Sequence, residues 1–285
     1  MAKVKIIADS SVCLPKKLIE EYGIHLVPEV IIFGETVYRD GVNLNSRDFY
    51  TRLEQVKDLP TTSAPSPQDF YDTYQKASEG ADGLACILVT AGFSQMGMEA
   101  AQKARKTFSG IPLEIIDSRT AVGAYGLVVL AAARAATMGK SLPEVVKATE
   151  DIKRRVNFIF TLDTLKYVAK GGRIGKVAFW AGSLLSLKPI LEVPTTTGVL
   201  EPVERVRTRQ KALKRLLEIM GERIGAGKPV HVNIVHANVP NEANWLKGQV
   251  SSRFDCSEIY IADFAPVVGV HCGPGVIGLS FYTDN

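Results

Sequence analysis

Cysteine is scarce and scattered in this chain of 285 residues: Cys13, Cys86, Cys256 and Cys272 form no CxxC pair and have no Cys/His cluster beside them. Neither a disulfide framework nor a zinc site is expected, and the four read as reduced thiols, mostly small core residues. Long apolar runs are missing too. The uncharged apolar stretches 120–133 and 177–187 fall short of the roughly 20 residues that a bilayer core requires, so a soluble protein without an integral membrane span is expected. The opening run Met-Ala-Lys-Val-Lys-Ile-Ile-Ala-Asp has an acid where a signal peptide would need an apolar run and a cleavage site. It reads as the first strand of a cytoplasmic protein. Charge of one sign is in no large excess: 34 Lys and Arg against 30 Asp and Glu leave +4, too little over this length to point to nucleic acid. Residues 1–150 hold 16 basic and 18 acidic side chains, and residues 151–285 hold 18 and 12, which directs an anion or an acidic partner toward the second half. Catalytic signatures are missing as well. There is no GxSxG elbow, no defensible Ser-His-Asp spacing, no HExxH pair and no cluster of metal ligands.

What is present is an ordinary globular composition, 46% hydrophobic and 22% charged, with room for one large domain or two modest ones. The apolar pattern changes period repeatedly, from short β-branched runs to amphipathic stretches, as in a layered α/β fold. Residues 4–8 read as a buried strand ending in Asp9-Ser10-Ser11, and Pro15 opens a helix that Gly23 closes. Residues 24–33 and 36–39 read as a strand pair turning at Gly34-Glu35. The continuous apolar runs 84–89 and 113–116 suit parallel strands covered on both faces, in the middle of a sheet, with helices at 94–108 and 121–138. A second alternation starts near Arg155, with strands at 157–161, 189–193, 230–235, 257–262 and 276–281 and helices at 208–224 and 241–252. Two α/β domains are expected, residues 1–160 with a parallel sheet and hydroxyl-bearing loops, and residues 161–285 with basic loops. No Ser/Gly linker separates them, so they should pack directly on one another.

Several loops carry chemistry. Residues 60–67, Pro-Thr-Thr-Ser-Ala-Pro-Ser-Pro, form a proline-stiffened segment that presents hydroxyls. Ser66 with Pro67 and Asp69 resembles a capping box, which leaves Thr62 and Ser63 unexplained. A second hydroxyl loop, Thr90-Ala91-Gly92-Phe93-Ser94, follows a parallel strand and opens a helix, where free N–H groups suit an anion; Ser94 either seats a ligand there or only caps its helix. Residues 170–176, Lys-Gly-Gly-Arg-Ile-Gly-Lys, combine glycines with three cations but match neither a P-loop nor GxGxxG. Residues 204–209 read as a solvated strand edge leading into a basic helix. His271-Cys272-Gly273-Pro274-Gly275 describes a tight turn displaying an imidazole, and His236 has a similar position after a strand. This inventory of donors suits holding a carboxylate better than breaking a bond.

Taken in order, Ile7 to Ser11, Thr62 to Ser66, Thr90 to Ser94, Lys170 to Ile174, Leu187 to Leu191, Val206-Arg207 with Lys211-Ala212, His236-Ala237 and His271 to Gly275 resemble the DegV family over essentially the whole chain. The resemblance implies a two-domain fold related to dihydroxyacetone kinase subunits that binds one long-chain fatty acid, such as palmitate, stearate or oleate. It further implies a non-catalytic role: the protein presents the acid to a separate ATP-binding kinase subunit related to dihydroxyacetone kinase, and the acyl-phosphate enters phospholipid synthesis. No cofactor or metal is implied, and transient membrane contact is compatible with the role. By the same resemblance Thr62 and Ser94 match hydroxyls that bond the carboxylate, with Ser63 adjacent, and Arg173, Arg207 and His271 match residues near the carboxylate and the phosphotransfer position. The family usually has Gln at Ala64, a frequent Ser at Ala91 and different residues at Gln95-Met96-Gly97. These departures imply a seat with fewer donors or one completed by water, and a different acyl preference. Phe93, Ile31, Leu127 and Phe160 are expected along the tail by neighbouring position alone. Two rival readings stand beside this one: a small-molecule phosphotransferase or hydrolase using His271, Ser94 and the 170–176 loop, and a regulatory module that binds no lipid.

Overall fold

The computed structural model describes residues 2–180, 187–225 and 227–284; the apolar stretch 177–187 thus lies partly outside the described residues. The first run of β-branched residues forms β1 (Val4–Asp9), a strand with nearly every side chain buried. It pairs in parallel with β2 (His25–Val27) and β6 (Gly83–Leu88), and β6 pairs with β7 (Leu113–Asp117), in the order β2-β1-β6-β7. Two helical layers cover this sheet. Ile7, Leu84, Cys86 and Leu88 face Phe70 and Tyr74 of α3 (Pro67–Ser78) and Ala101 of α4 (Gln95–Thr107), whereas Ile6, Ala8, Ala85 and Ile87 face α5 (Val122–Thr137) and α6 (Leu142–Lys153). The alternation of β1 and β6 between two apolar layers explains why both read as continuous hydrophobic runs. β7 is different. Expected in the sheet's middle, it stands at the edge, with Glu114 exposed.

The stretch 24–33, expected as one strand, is two. Pro28 cannot donate to a ladder, and at that point the chain leaves the parallel sheet and enters a three-stranded antiparallel sheet. Its order is β4 (Thr36–Arg39), β3 (Val30–Phe33), β5 (Thr61–Ser63). Ile31 lies opposite Thr62 and Val30 opposite Ser63.

β8 (Asn157–Thr161) begins a six-stranded sheet ordered β10 (Glu201–Val206), β9 (Lys188–Glu192), β8, β13 (Ile277–Thr283), β11 (Val230–His236), β12 (Cys256–Asp263). Its pairs are antiparallel except β11 with β12. Residues 204–209 form the edge of this sheet and lead into a helix, as expected. α8 (Arg209–Ile224) and α9 (Pro240–Arg253) cover one face through Leu216, Met220 and Leu246, packed on Ile159, Ile234 and Leu279. α1 (Lys16–Glu21) lies where Pro15 and Gly23 bound the expected helix, and the shorter helices that the periodicity does not predict are α2 (Ser46–Leu53), α7 (Lys166–Lys170) and α10 (Pro266–Cys272).

The other face of the six-stranded sheet meets α5. This helix is apolar all round, and such a helix belongs in an interior. Its two glycines are contact points: a Cβ at Gly123 would stand 2.5 Å from Ser280 Oγ and 2.7 Å from Val235 Cγ1, and one at Gly126 would stand 2.9 Å from the Cys13 carbonyl oxygen. Between them the buried Asn233 amide donates to the carbonyls of Cys13 (2.8 Å) and Gly123 (3.3 Å). The two larger sheets thus share one helix.

Overpacking this contact should be costly. Gly123→Ala is expected to destabilise by about 1–3 kcal/mol, whereas Gly248→Ala in α9, where a Cβ meets nothing within 4 Å, should be neutral or stabilising by up to about 1 kcal/mol. Urea unfolding of both variants checks the contrast.

Candidate functional site

Three sheets converge on one cavity of about 390 Å³, within the range of about 300–1,000 Å³ usual for small-molecule sites. Strand alternation builds its apolar wall. Phe158 and Phe160 of β8 point the same way, stacked with centroids 4.9 Å apart, and both line the cavity, while Ile159 between them turns to the α8 side. Val89, Val193, Phe264 and Val267 add to the wall. Of the four tail residues expected from position, Phe93 and Phe160 line the cavity. Ile31 and Leu127 do not; both are fully buried in the core, their chain neighbours having no bearing on where strand and helix faces point.

Polar groups gather on one side of this wall. β5 presents Thr62, whose Oγ1 lies 2.9 Å from Nε2 of His271, on the last turn of α10. His271 is therefore carried by a helix end, not displayed by the turn that follows it; Gly273, with φ 71°, closes the helix there. Ser63 also lines the cavity but gives its hydroxyl to the Ala64 carbonyl. Ser94 stands at the N-cap position of α4, yet its hydroxyl makes no capping bond, and it faces the cavity at the end of a helix whose first N–H groups have no intrahelical partner. Ser66, by contrast, does form the capping box with Asp69.

Arg173 reaches across from the glycine loop. Its Nε donates to the Phe93 carbonyl (3.2 Å) and its Nη1 to that of Gly171 (2.7 Å), which ties the 170–176 loop to the second hydroxyl loop at the cavity. Lys176 of the same loop is paired with Glu201 at 2.8 Å. Gly171 must be glycine, since a Cβ there would stand 2.4 Å from His271 Nδ1. Thr90 is structural: its Oγ1 donates to the Gly198 carbonyl at 2.8 Å. Of the six residues singled out from the sequence, Thr62, Ser63, Ser94, Arg173 and His271 line one cavity. Arg207 is exposed just beyond β10 and is not among the lining residues. His236 ends β11 with Nε2 3.5 Å from Asp263 Oδ1, also off the cavity.

Burial sets the electrostatics. The His271 imidazole is pushed down to about 4, first by desolvation and then by the Arg173 charge, so it is neutral near pH 7. Its Nδ1 has no partner among the described residues. The rival reading joins His271 to Ser94; the bond His271 makes among the described residues is to Thr62. Deeper in, Asp9 accepts from the amides of Ser11 (3.0 Å) and Val89 (2.8 Å), and Asp40 accepts from Ser10 Oγ (2.9 Å). Burial pushes both carboxyls up, Asp40 to about 7. Glu29 lies between β2 and β3, buried and facing the cavity; nothing in its local sequence distinguishes it from a surface turn residue. Among the described residues no group of three or more His, Cys, Asp and Glu is arranged to hold a metal ion. No described helix is long and apolar enough to cross a membrane.

Fold and site together define a mixed α/β protein whose parallel-sheet unit packs on a second sheet around a pocket with an apolar wall and hydroxyl-bearing residues at one side. The family model described as "Uncharacterised protein, DegV family" matches residues 3–284, and the chain belongs to the DegV family. A DegV domain-containing protein of Halalkalibacterium halodurans is 33% identical, with both chains covered in full. Among solved structures, a DegV family protein from Thermus thermophilus described by its fatty acid binding superposes with a TM-score of 0.92 at 27% identity, covering 99% of this chain and 100% of its own. A stearic acid-binding protein from Eubacterium ventriosum superposes with a TM-score of 0.87 at 25% identity, covering 99% and 98%.

The depressed imidazole has a consequence for stability. Its folded pKa lies below the unfolded value of 6.5, so the folded protein binds fewer protons between about 4 and 6.5, and the stability it confers is present above 6.5 and lost as pH falls through about 4. The difference in melting temperature between the ligand-free protein and its His271→Gln variant should shrink steadily from pH 7 to pH 4.5. A difference that stays flat would mean the imidazole is charged in the fold.

Proposed function

We propose that the protein binds one long-chain fatty acid, such as palmitate, stearate or oleate, with its tail between the sheets and its carboxylate at Thr62 and Ser94. The observation that carries this reading is the single cavity with phenylalanine walls and one hydroxyl-bearing side. Burying about 16 carbons at roughly 0.8 kcal/mol per CH₂ gives on the order of 12 kcal/mol before the costs of binding are subtracted. The tail therefore supplies most of the affinity, and the hydroxyls fix the position of the head. Neutral donors leave the carboxylate available as a nucleophile, and a neutral His271 bonded to Thr62 keeps that hydroxyl oriented.

In this proposal the chain presents the acid without turning it over. A separate ATP-binding kinase subunit, of the dihydroxyacetone kinase type, phosphorylates the carboxylate, with Arg173 and the exposed Arg207 offsetting the charge of the arriving phosphoryl group. The parallel-sheet unit and the six-stranded sheet, whose strand β8 straddles the expected domain boundary at residue 160, form the two sides of the tail site in this proposal, and the setting is cytoplasmic. The Thermus and Eubacterium relatives, both described as fatty acid binders, support the ligand class. Met96, which lines the cavity and is 72% exposed, suits a transient contact with a membrane during loading.

Denaturing the purified protein and identifying the released lipid by mass spectrometry tests the reading directly; an empty cavity that also refuses palmitate and oleate overturns it. Thr62→Ala or Ser94→Ala should weaken palmitate binding by about tenfold, the cost of a hydrogen bond to a charged group. Arg207→Ala should leave binding intact and slow acyl-phosphate formation by the partner kinase. Equal loss of binding in all three variants contradicts this division of roles.

A further inference from the structure

Glu29 is an anomaly in an oily cavity. Its residue is only 6% exposed and it lines the same cavity as Thr62 and Ser94, yet its side chain makes no hydrogen bond or ion pair among the described residues. Its backbone is fully used, the amide donating to Ser10 Oγ (3.0 Å) and the carbonyl accepting from Asp40 (2.9 Å), so the position is fixed while the carboxyl is left over. A buried polar group without a partner is costly. The economical explanation is that its partner is the ligand.

Register says which part of the ligand. Thr62 pairs with Ile31 across β5 and β3, and paired residues share a face; Glu29, two residues before Ile31, is on that face as well. Diagonal neighbours of this kind have Cβ atoms about 7–8 Å apart, close enough for both side chains to reach one ligand head group. The strand β5 continues into Ala64, which lines the cavity with a methyl group and places no polar atom there.

We propose that the Glu29 carboxyl is a further head-group-positioning residue, donating a hydrogen bond to the ligand carboxylate beside Thr62. The inference rests on the fatty-acid reading above. A neutral carboxyl is a donor, and the surroundings keep it neutral: desolvation is the largest influence, followed by Asp9 at the end of β1 and Asp40 after β4, with Arg173 opposing them. The other titratable groups at this side of the cavity are His271 and Cys272 of α10, both neutral, since burial pushes the imidazole down to about 4 and the thiol up to about 12. A bound carboxylate adds a further negative charge, which holds the Glu29 proton in place and shares it. The site thus recognises an acid by a pair of carboxyls with one proton between them. An alkyl ester or an alcohol offers no such partner.

The test uses the full chain stripped of lipid, with palmitate and methyl palmitate as probes from pH 6 to 9. Glu29→Gln keeps a donor and cannot ionise; Glu29→Leu removes the donor. At pH 6 Glu29→Gln should bind palmitate within twofold of the unaltered protein, and the ratio of the two affinities should move about tenfold in favour of Glu29→Gln across the range in which Glu29 loses its proton. Taking the ratio at each pH cancels the titration of palmitate itself, which is common to both proteins. Glu29→Leu should weaken palmitate at least fivefold at pH 6 while leaving methyl palmitate unchanged. The proposal is overturned if Glu29→Leu binds palmitate as well as the unaltered protein, or if the Glu29→Gln ratio does not move with pH. A protein that binds neither probe in any form refutes the fatty-acid reading instead, and the two failures are told apart by the unaltered chain.

Discussion

The structure depends on one helix having no solvent side. α5 lies against β1 and β6 of the parallel sheet and against β8, β11 and β13 of the other, and its Ala- and Gly-rich surface lets both approach closely. The buried Asn233 amide fastens the junction by bonding to backbone on each side of α5's start. Because packed interiors resist deformation, the separation between the sheets is set by this helix. The cavity lies just beyond its first turn, where Ala121 and Val122 close one wall.

A second set of contacts positions the polar side. Thr90 and Gly198 dock the hydroxyl loop after β6 onto the loop after β9, so closely that a Cβ at Gly92 would stand 2.3 Å from the Gly198 oxygen. Arg119 adds bonds to the carbonyls of Thr195 (2.7 Å) and Thr196. Arg173 returns the favour from the glycine loop, bonding to Phe93. These contacts run between backbone and side chain on segments far apart in sequence. They hold the loop that carries Ser94, while Thr62 is held from the other side by His271.

Much of this was legible in the residues. The continuous run in β6, the capping box at Ser66 and the long apolar helix α5 all follow from local pattern, and the ordered series of hydroxyl, glycine and histidine motifs pointed to the family. Other features were hidden for definable reasons. β7 reads like a central strand because Ile115 and Ile116 are adjacent, and only pairing reveals that one side is open. Pro28 splits a strand because the two halves belong to different sheets, a tertiary fact. His271 stands between Pro266 and Gly269 on one side and Gly273, Pro274 and Gly275 on the other, so a turn and the end of a short helix look alike. Glu29 was invisible because an acid beside a proline reads as surface until its strand is registered against β5.

The wall of the cavity is drawn from every sheet of the molecule, and this ties occupancy to integrity. On the proposed reading, a hydrocarbon chain lying between Phe158, Phe160 and Val267 would do the work of missing core side chains. Held at a hundred times its dissociation constant, such a guest adds about 2.7 kcal/mol to the folded state, comparable to a buried leucine. The cargo is then a removable piece of the scaffold, and a shortage of it would register first as a protein that unfolds sooner.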